Sequence, residues 1–163
     1  MKDPGALHYF LGIEVQSTSS GLFLSQTKYA VDILHRVAMT DCKPVATPMV
    51  VGQKLTQAGS PFSNQTLYRS VVGALQYLVI THPELAYSVN TVCQHMHAPT
   101  NELFRAVKSI LRYIKGTLHF GLNLYSYPSR QLLAYSDADW AGYPDTRRFT
   151  YGYTIYLGRN LVS

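Results

Sequence analysis

The sequence predicts an α+β protein in which a β-hairpin is followed by a helical middle and a β end. Three observations lead there. Tyr9, Leu11, Ile13 and Val15 alternate with Phe10, Gly12 and Glu14, the period of a half-buried strand. Tyr68, Val71, Val72, Leu75 and Val79 recur with the spacing of one apolar helix face. After Gly121 short strand-like runs return, broken by turn residues such as Pro128-Ser129.

The elements follow in order. The alternating run from Tyr9 ends at a polar turn over residues 17–21, and Leu22-Phe23-Leu24 reads as the return strand. Thr27 is placed as the N-cap of a short helix with Val31, Leu34 and Val37 on one face. Residues 41–61 hold three of the eight prolines and little periodicity, which predicts a linker or extended loop. Residues 66–116 read as helical throughout. Pro83 opens a second helix, where its missing N–H is an orphan in any case, and that helix is expected to reach His97. Thr100 caps a third, with Glu102 in its first turn to complement the dipole. Leu103, Val107, Ile110, Leu111 and Ile114 give it an apolar face, and Gly116 ends it. Strands are then expected over 122–127, 132–140 and 152–157.

With 163 residues, 47% of them hydrophobic, the chain has the material for one ordinary core or two small ones. Only 14% are charged, low against the ~25% of typical soluble domains, as expected of a piece of a larger assembly. A net charge of +5 is compatible with a polyanion partner. Cys42 and Cys93 lie far apart and make no disulfide framework, so a reducing, intracellular compartment is expected. The N-terminal residues include Lys2 and Asp3 and no apolar leader. The most apolar run, residues 71–80, is too short to span a bilayer, so no membrane partner is expected.

Chemistry concentrates in Tyr135-Ser136-Asp137-Ala138-Asp139-Trp140-Ala141-Gly142, followed by Thr146-Arg147-Arg148. Asp137 and Asp139 fall two apart, on one face of the expected strand. Metal-assisted phosphodiester hydrolysis needs several carboxylates around its ions. Only Asp145 is added later and no Glu follows Asp137, so a metal site here is incomplete. The plainer reading is a polar strand end entering a turn at Gly142. Arg105, Lys108, Arg112 and Lys115 form one stripe on the third helix of the middle region. Such a stripe can suit phosphate tracking, but the plainer reading is an ordinary solvated face. Cys93, His95 and His97 lack a second Cys/His pair at zinc spacing. Phosphate-cradling glycine loops and nucleophile elbows are absent. Most of the thirteen tyrosines sit in apolar phase, which favours packing over base stacking.

Taken together, LHYFLGIEV (Leu7 to Val15), YRSVVGALQYL (Tyr68 to Leu78), CQHMHAPT (Cys93 to Thr100), AVKSILRYIKGT (Ala106 to Thr117) and YSDADWAG (Tyr135 to Gly142) resemble the copia-type retrotransposon polyprotein. The segments occur in that family's order and cover nearly the whole chain. The resemblance implies the C-terminal part of a reverse transcriptase over residues 1–120 and a truncated ribonuclease H-like β end over residues 121–163. The hairpin from Leu7 to Gln26 is then similar to a primer grip. The helices between Thr66 and Gly116 would be thumb- and connection-like elements along the template–primer backbone, with Arg105, Lys108, Arg112 and Lys115 facing phosphates. Asp137 matches the first catalytic, metal-binding carboxylate of ribonuclease H, and Asp139 belongs to the same motif. The intact parent uses Mg2+; none is expected for this chain. Template–primer nucleic acid, and other segments of the polyprotein, are the partners implied.

Departures from the family pattern shape the expectation. The Tyr-x-Asp-Asp metal motif of the polymerase is absent, and the later ribonuclease H carboxylates do not occur. Phe149 and Tyr151 stand where the family has serines, Tyr143 where it has cysteine, Phe104 where it has tryptophan, and His95 also departs. The chain is therefore expected to be inactive by itself in RNA-directed DNA synthesis and in hybrid hydrolysis. The alternatives are a domesticated module that binds RNA–DNA hybrids, and an enzyme completed by carboxylates from another chain.

Overall fold

The structure, a computed structural model, describes residues 8–50, 55–56, 59–126, 131–139 and 150–163. It is mixed α and β, with two antiparallel sheets and four α-helices among the described residues. The chain forms two compact units, residues 25–121 and residues 1–24 together with 122–163.

The first unit is helical: α1 (Thr27–Arg36), α2 (Gln65–Leu78), a 3₁₀ turn (Pro83–Leu85), α3 (Ala86–Cys93) and α4 (Asn101–Gly116). Its core is the meeting of their apolar faces. Ile33 and Leu34 of α1, Tyr68, Val72 and Leu75 of α2, Val89 and Val92 of α3, and Leu103, Val107, Ile110 and Ile114 of α4 are all essentially fully buried. Each aliphatic side chain so buried contributes roughly 1.5–3 kcal/mol. Tyr68 satisfies its buried hydroxyl by donating to the Val92 carbonyl at 2.8 Å. That bond lets an aromatic polar group sit in the core. α4 is capped by Thr100 as its sequence suggests, the hydroxyl accepting from Leu103 N. α2 is capped by Asn64, which accepts from Leu67 N at 2.9 Å.

Two local expectations are corrected. Thr27 is not the cap of α1 but its first residue; Gln26 holds the cap position, and the Thr27 hydroxyl donates to Leu118 O at 3.1 Å. The helix from Pro83 begins with a 3₁₀ turn and stops at Cys93, short of His97. Residues 94–97 turn instead, because Pro99 disfavours helix at the residue before it and Arg69 Nε draws the Met96 carbonyl to itself at 2.9 Å. In its described residues the proline-rich stretch after Asp41 is a loop, as expected, and a docked one. Met49 and Leu55 are buried in the core, and Arg112 Nε donates to Lys43 O at 2.7 Å.

Among its described residues the second unit is all β. β1 (Tyr9–Phe10), β2 (Ile13–Thr18), β3 (Gly21–Ser25) and β4 (Leu122–Tyr125) form one sheet in that order. β5 (Leu132–Asp139), β6 (Thr150–Leu157) and β7 (Asn160–Leu161) form the other. The alternating run from Tyr9 to Val15 is not one strand. Leu11 and Gly12, both with positive φ (47° and 83°), make a two-residue turn of the type that matches strand twist, and β1 folds back on β2. β4 pairs with β3, from Gly21 opposite Tyr125 to Leu24 opposite Leu122. Gly21 is obligatory there. Its φ is +152°, and a Cβ would overlap the Leu124 carbonyl oxygen. The Asn160 side chain then joins the sheets: its Oδ1 accepts from Tyr125 N at 2.7 Å and its Nδ2 donates to Tyr125 O at 3.0 Å. An amide thus completes the outer edge of β4 as a neighbouring strand would.

Candidate functional site

Asp137 lies in β5, opposite Gly152 of β6, with Asp139 two residues on and opposite Thr150. The Asp137 carboxylate is exposed, and its Oδ1 accepts from the backbone N–H of Ala138 at 2.9 Å. Gly152 leaves open space across from it. Trp140, Asp145, Arg147 and Arg148 lie outside the described residues. Among the described residues no three His, Cys, Asp or Glu side chains gather into a set able to hold a metal ion. The described carboxylates therefore do not make a magnesium site.

The basic stripe divides into different environments along α4. Arg105 is exposed and pairs with Glu102 one turn earlier at 2.7 Å, a solvent-screened bridge worth little to stability. Lys108 is exposed, and its Nζ stands 5.2 Å from the centre of the Phe104 ring. Phe104 in turn stacks on Phe62, centroids 4.1 Å apart. Arg112 is partly buried against the strap at residues 43–45: besides its bond to Lys43 O, its own carbonyl accepts from Val45 N. Lys115, also partly buried, closes the last turn, where a cation favours the helix dipole. The four positions share one helix face, but Arg112 is also a structural pin.

Cys93, His95 and His97 do not converge. Cys93 is half-buried, and burial pushes its thiol up to about 11. His95 is fully buried, whereas His97 is exposed. A polar cluster that no spacing in the sequence announces lies at the start of α1. Gln26, Thr81 and His82 are all buried. The Thr81 hydroxyl donates to Gln26 Oε1 at 2.8 Å, and His82 Nδ1 lies 2.9 Å from Glu84 Oε1. His82 had one available signal, its position immediately before Pro83. Arg69 and Asn160 had none, because their partners are backbone groups distant in sequence.

No family model matches the chain, and no solved structure does so. Curated relatives do. An uncharacterized mitochondrial protein of Arabidopsis thaliana is 47% identical over the whole chain, which spans 68% of that protein. The retrovirus-related Pol polyprotein from transposon RE2 of Arabidopsis thaliana is also 47% identical over the whole chain. That from transposon TNT 1-94 of Nicotiana tabacum is 35% identical, again over the whole chain. The chain spans 11% and 13% of these two polyproteins.

Proposed function

The chain belongs to the Pol polyprotein family of copia-type retrotransposons, and from that premise we propose that it is a reverse transcriptase/ribonuclease H segment without catalysis of its own. Residues 1–120 descend from the C-terminal part of the polymerase and residues 121–163 from the start of the hydrolase. The parent enzyme is an RNA-directed DNA polymerase using Mg2+. The observation that carries the reading is the solitary engagement of Asp137. Its carboxylate takes its neighbour's N–H, and no described acid gathers with it into a metal-binding set. The absence of a Tyr-x-Asp-Asp motif supports the same reading for polymerisation. With Mg2+ or Mn2+, the purified chain should neither extend a primer on RNA nor cut the RNA of a hybrid. Reproducible turnover lost in Asp137→Asn would overturn this.

A second reading, a module that binds RNA–DNA hybrid along α4, is favoured by the exposed Arg105 and Lys108 on one face. Each phosphate contact contributes a slope of roughly −0.9 in log K against log salt on B-form DNA, used here for a hybrid. Replacing Lys108 and Lys115 with Gln should flatten the slope by about two units, alike for all sequences. Arg112 is left in place because its loss would release the strap. An unchanged slope, with helicity intact by circular dichroism, would return the stripe to a solvated surface.

A further inference from the structure

The four cations of α4 are held in different ways. Arg105 Nη1 lies on Glu102 Oε1, and Lys108 Nζ stands over the Phe104 ring. Lys115 carries a point charge on a flexible stem. Among the described residues, Arg112 is the one of the four tied to backbone: its Nε donates to Lys43 O at 2.7 Å, 69 residues away in sequence. Two further contacts hold the strap there. Val45 N donates to Arg112 O at 3.4 Å, and a Cβ on Gly116 would stand 3.2 Å from Pro44 Cβ, so the strap crosses close over the last turn. A guanidinium has five N–H donors on three nitrogens. The strap uses the one on Nε, which fixes the guanidinium plane. Neither Nη has a partner among the described residues. The surrounding charge is of one sign. Residues 42–50 and 103–120 contain no Asp or Glu. Lys108 and Lys115 flank Arg112 at about 6 Å and about 4.5 Å along the helix axis. The nine Lys and Arg of residues 25–121 exceed their four acids by five, which is the whole net charge of the chain.

We propose that Arg112, held by the strap, is a preformed seat for one phosphodiester group of bound nucleic acid, and that the strap serves to aim it. The proposal rests on the reading of α4 as a hybrid-binding face. It goes past that reading, which treats the cations as equivalent charges. With Nε engaged, Nη1 and Nη2 remain as a rigid pair, and that pair matches two oxygens of one phosphate. Fixing a long side chain normally opposes binding, and here the fold has already fixed it. Lys108 and Lys115 reach the neighbouring phosphates as mobile point charges. Arg105 contributes less, because the Glu102 carboxylate competes with phosphate for its guanidinium. An exchange of Arg for Lys, neutral on a merely solvated face, is then not neutral at position 112.

The test uses the full chain and a short fluorescent RNA–DNA hybrid in anisotropy titrations, together with heteronuclear NMR of the arginine side chains. Arg112→Lys keeps the charge and loses the planar fork. Affinity should fall roughly tenfold, the scale of one charge-assisted hydrogen bond, with the salt slope unchanged. Lys108→Arg, the reverse exchange one turn earlier, should change affinity by less than about twofold. In the wild-type chain the Arg112 resonances are assigned through the backbone. Its Nη signals should shift and sharpen as hybrid saturates the protein, while its Nε–H, already bonded to Lys43 O, stays in place. That readout supports the seat even where Arg112→Lys fails to fold. Absence of any binding overturns the seat together with the reading beneath it. Binding that leaves the Arg112 Nη signals unmoved, or an Arg112→Lys chain that binds as wild type does, overturns the seat alone.

Discussion

Cys93 is half-buried beside the helical core, and desolvation holds its thiol at about 11, above the ordinary value of 9.0. The fold therefore favours the neutral thiol. Below pH 9 folded and unfolded chains both carry the proton, and the contribution to stability is complete. Between pH 9 and about 11 the unfolded chain ionises first, so stability falls as pH rises through that window. Cys93→Ser should remove this component of the alkaline slope in denaturant titrations, and alkylation near neutral pH should mark Cys42 well before Cys93. Equal labelling rates would contradict the environment described. Arg112 teaches a different lesson at this scale. The spacing of Arg105, Lys108, Arg112 and Lys115 did place all four on one face of α4. Spacing reports a face and not what crosses it, and the strap carbonyl of Lys43 comes from far away in the sequence. Asp137 was legible as a motif residue. Its hydrogen bond to Ala138 N depends on which side of β5 is left open, a tertiary fact.

Among elements, α2, α4, β5 and β6 were readable because each has a strong period and a recognisable boundary. Thr100 is the cap its sequence suggested, while Asn64 caps α2 without having been singled out. The pattern failed at Leu11, where apolar alternation ran straight through a turn, since Gly12 supplies a positive φ that periodicity does not register. It failed again at β4. Residues 122–125 look like the opening strand of the β end, and their hydrogen-bonded partner is instead β3, across the whole helical unit. Local sequence carries no record of such a pairing, although Gly21 was a trace of it. Gly21→Ala should force its new methyl group into the Leu124 carbonyl at a strained φ. The cost should be at least about 2 kcal/mol, localised to β3 and β4. The check is a lowered thermal midpoint together with loss of amide protection at Leu122 and Leu124, while α2 and α4 keep theirs. Unchanged protection in β4 would show that the strand yields without breaking.

For the whole molecule, burial is uneven. The helical unit holds a continuous core, whereas Leu132, Tyr135, Tyr151 and Tyr153 of β5 and β6 stand exposed. Opening free energy follows buried apolar contact, so amides of β5 and β6 should exchange well before those of α2 and α4 in dilute solution. Slower exchange in the sheet would contradict this. The pairing of Leu24 with Leu122 also determines how the polypeptide bears tension. Pulled from its two ends, the chain would pass the load from β3 directly into β4, and the helices would carry none of it while those rungs held. Both strands are drawn from the Gly21–Tyr125 end, so they would peel rung by rung rather than shear. The Asn160 amide on Tyr125 sits at the first rung to be loaded. The β3–β4 rungs, not any contact inside the helical unit, thus decide when that unit first feels the force.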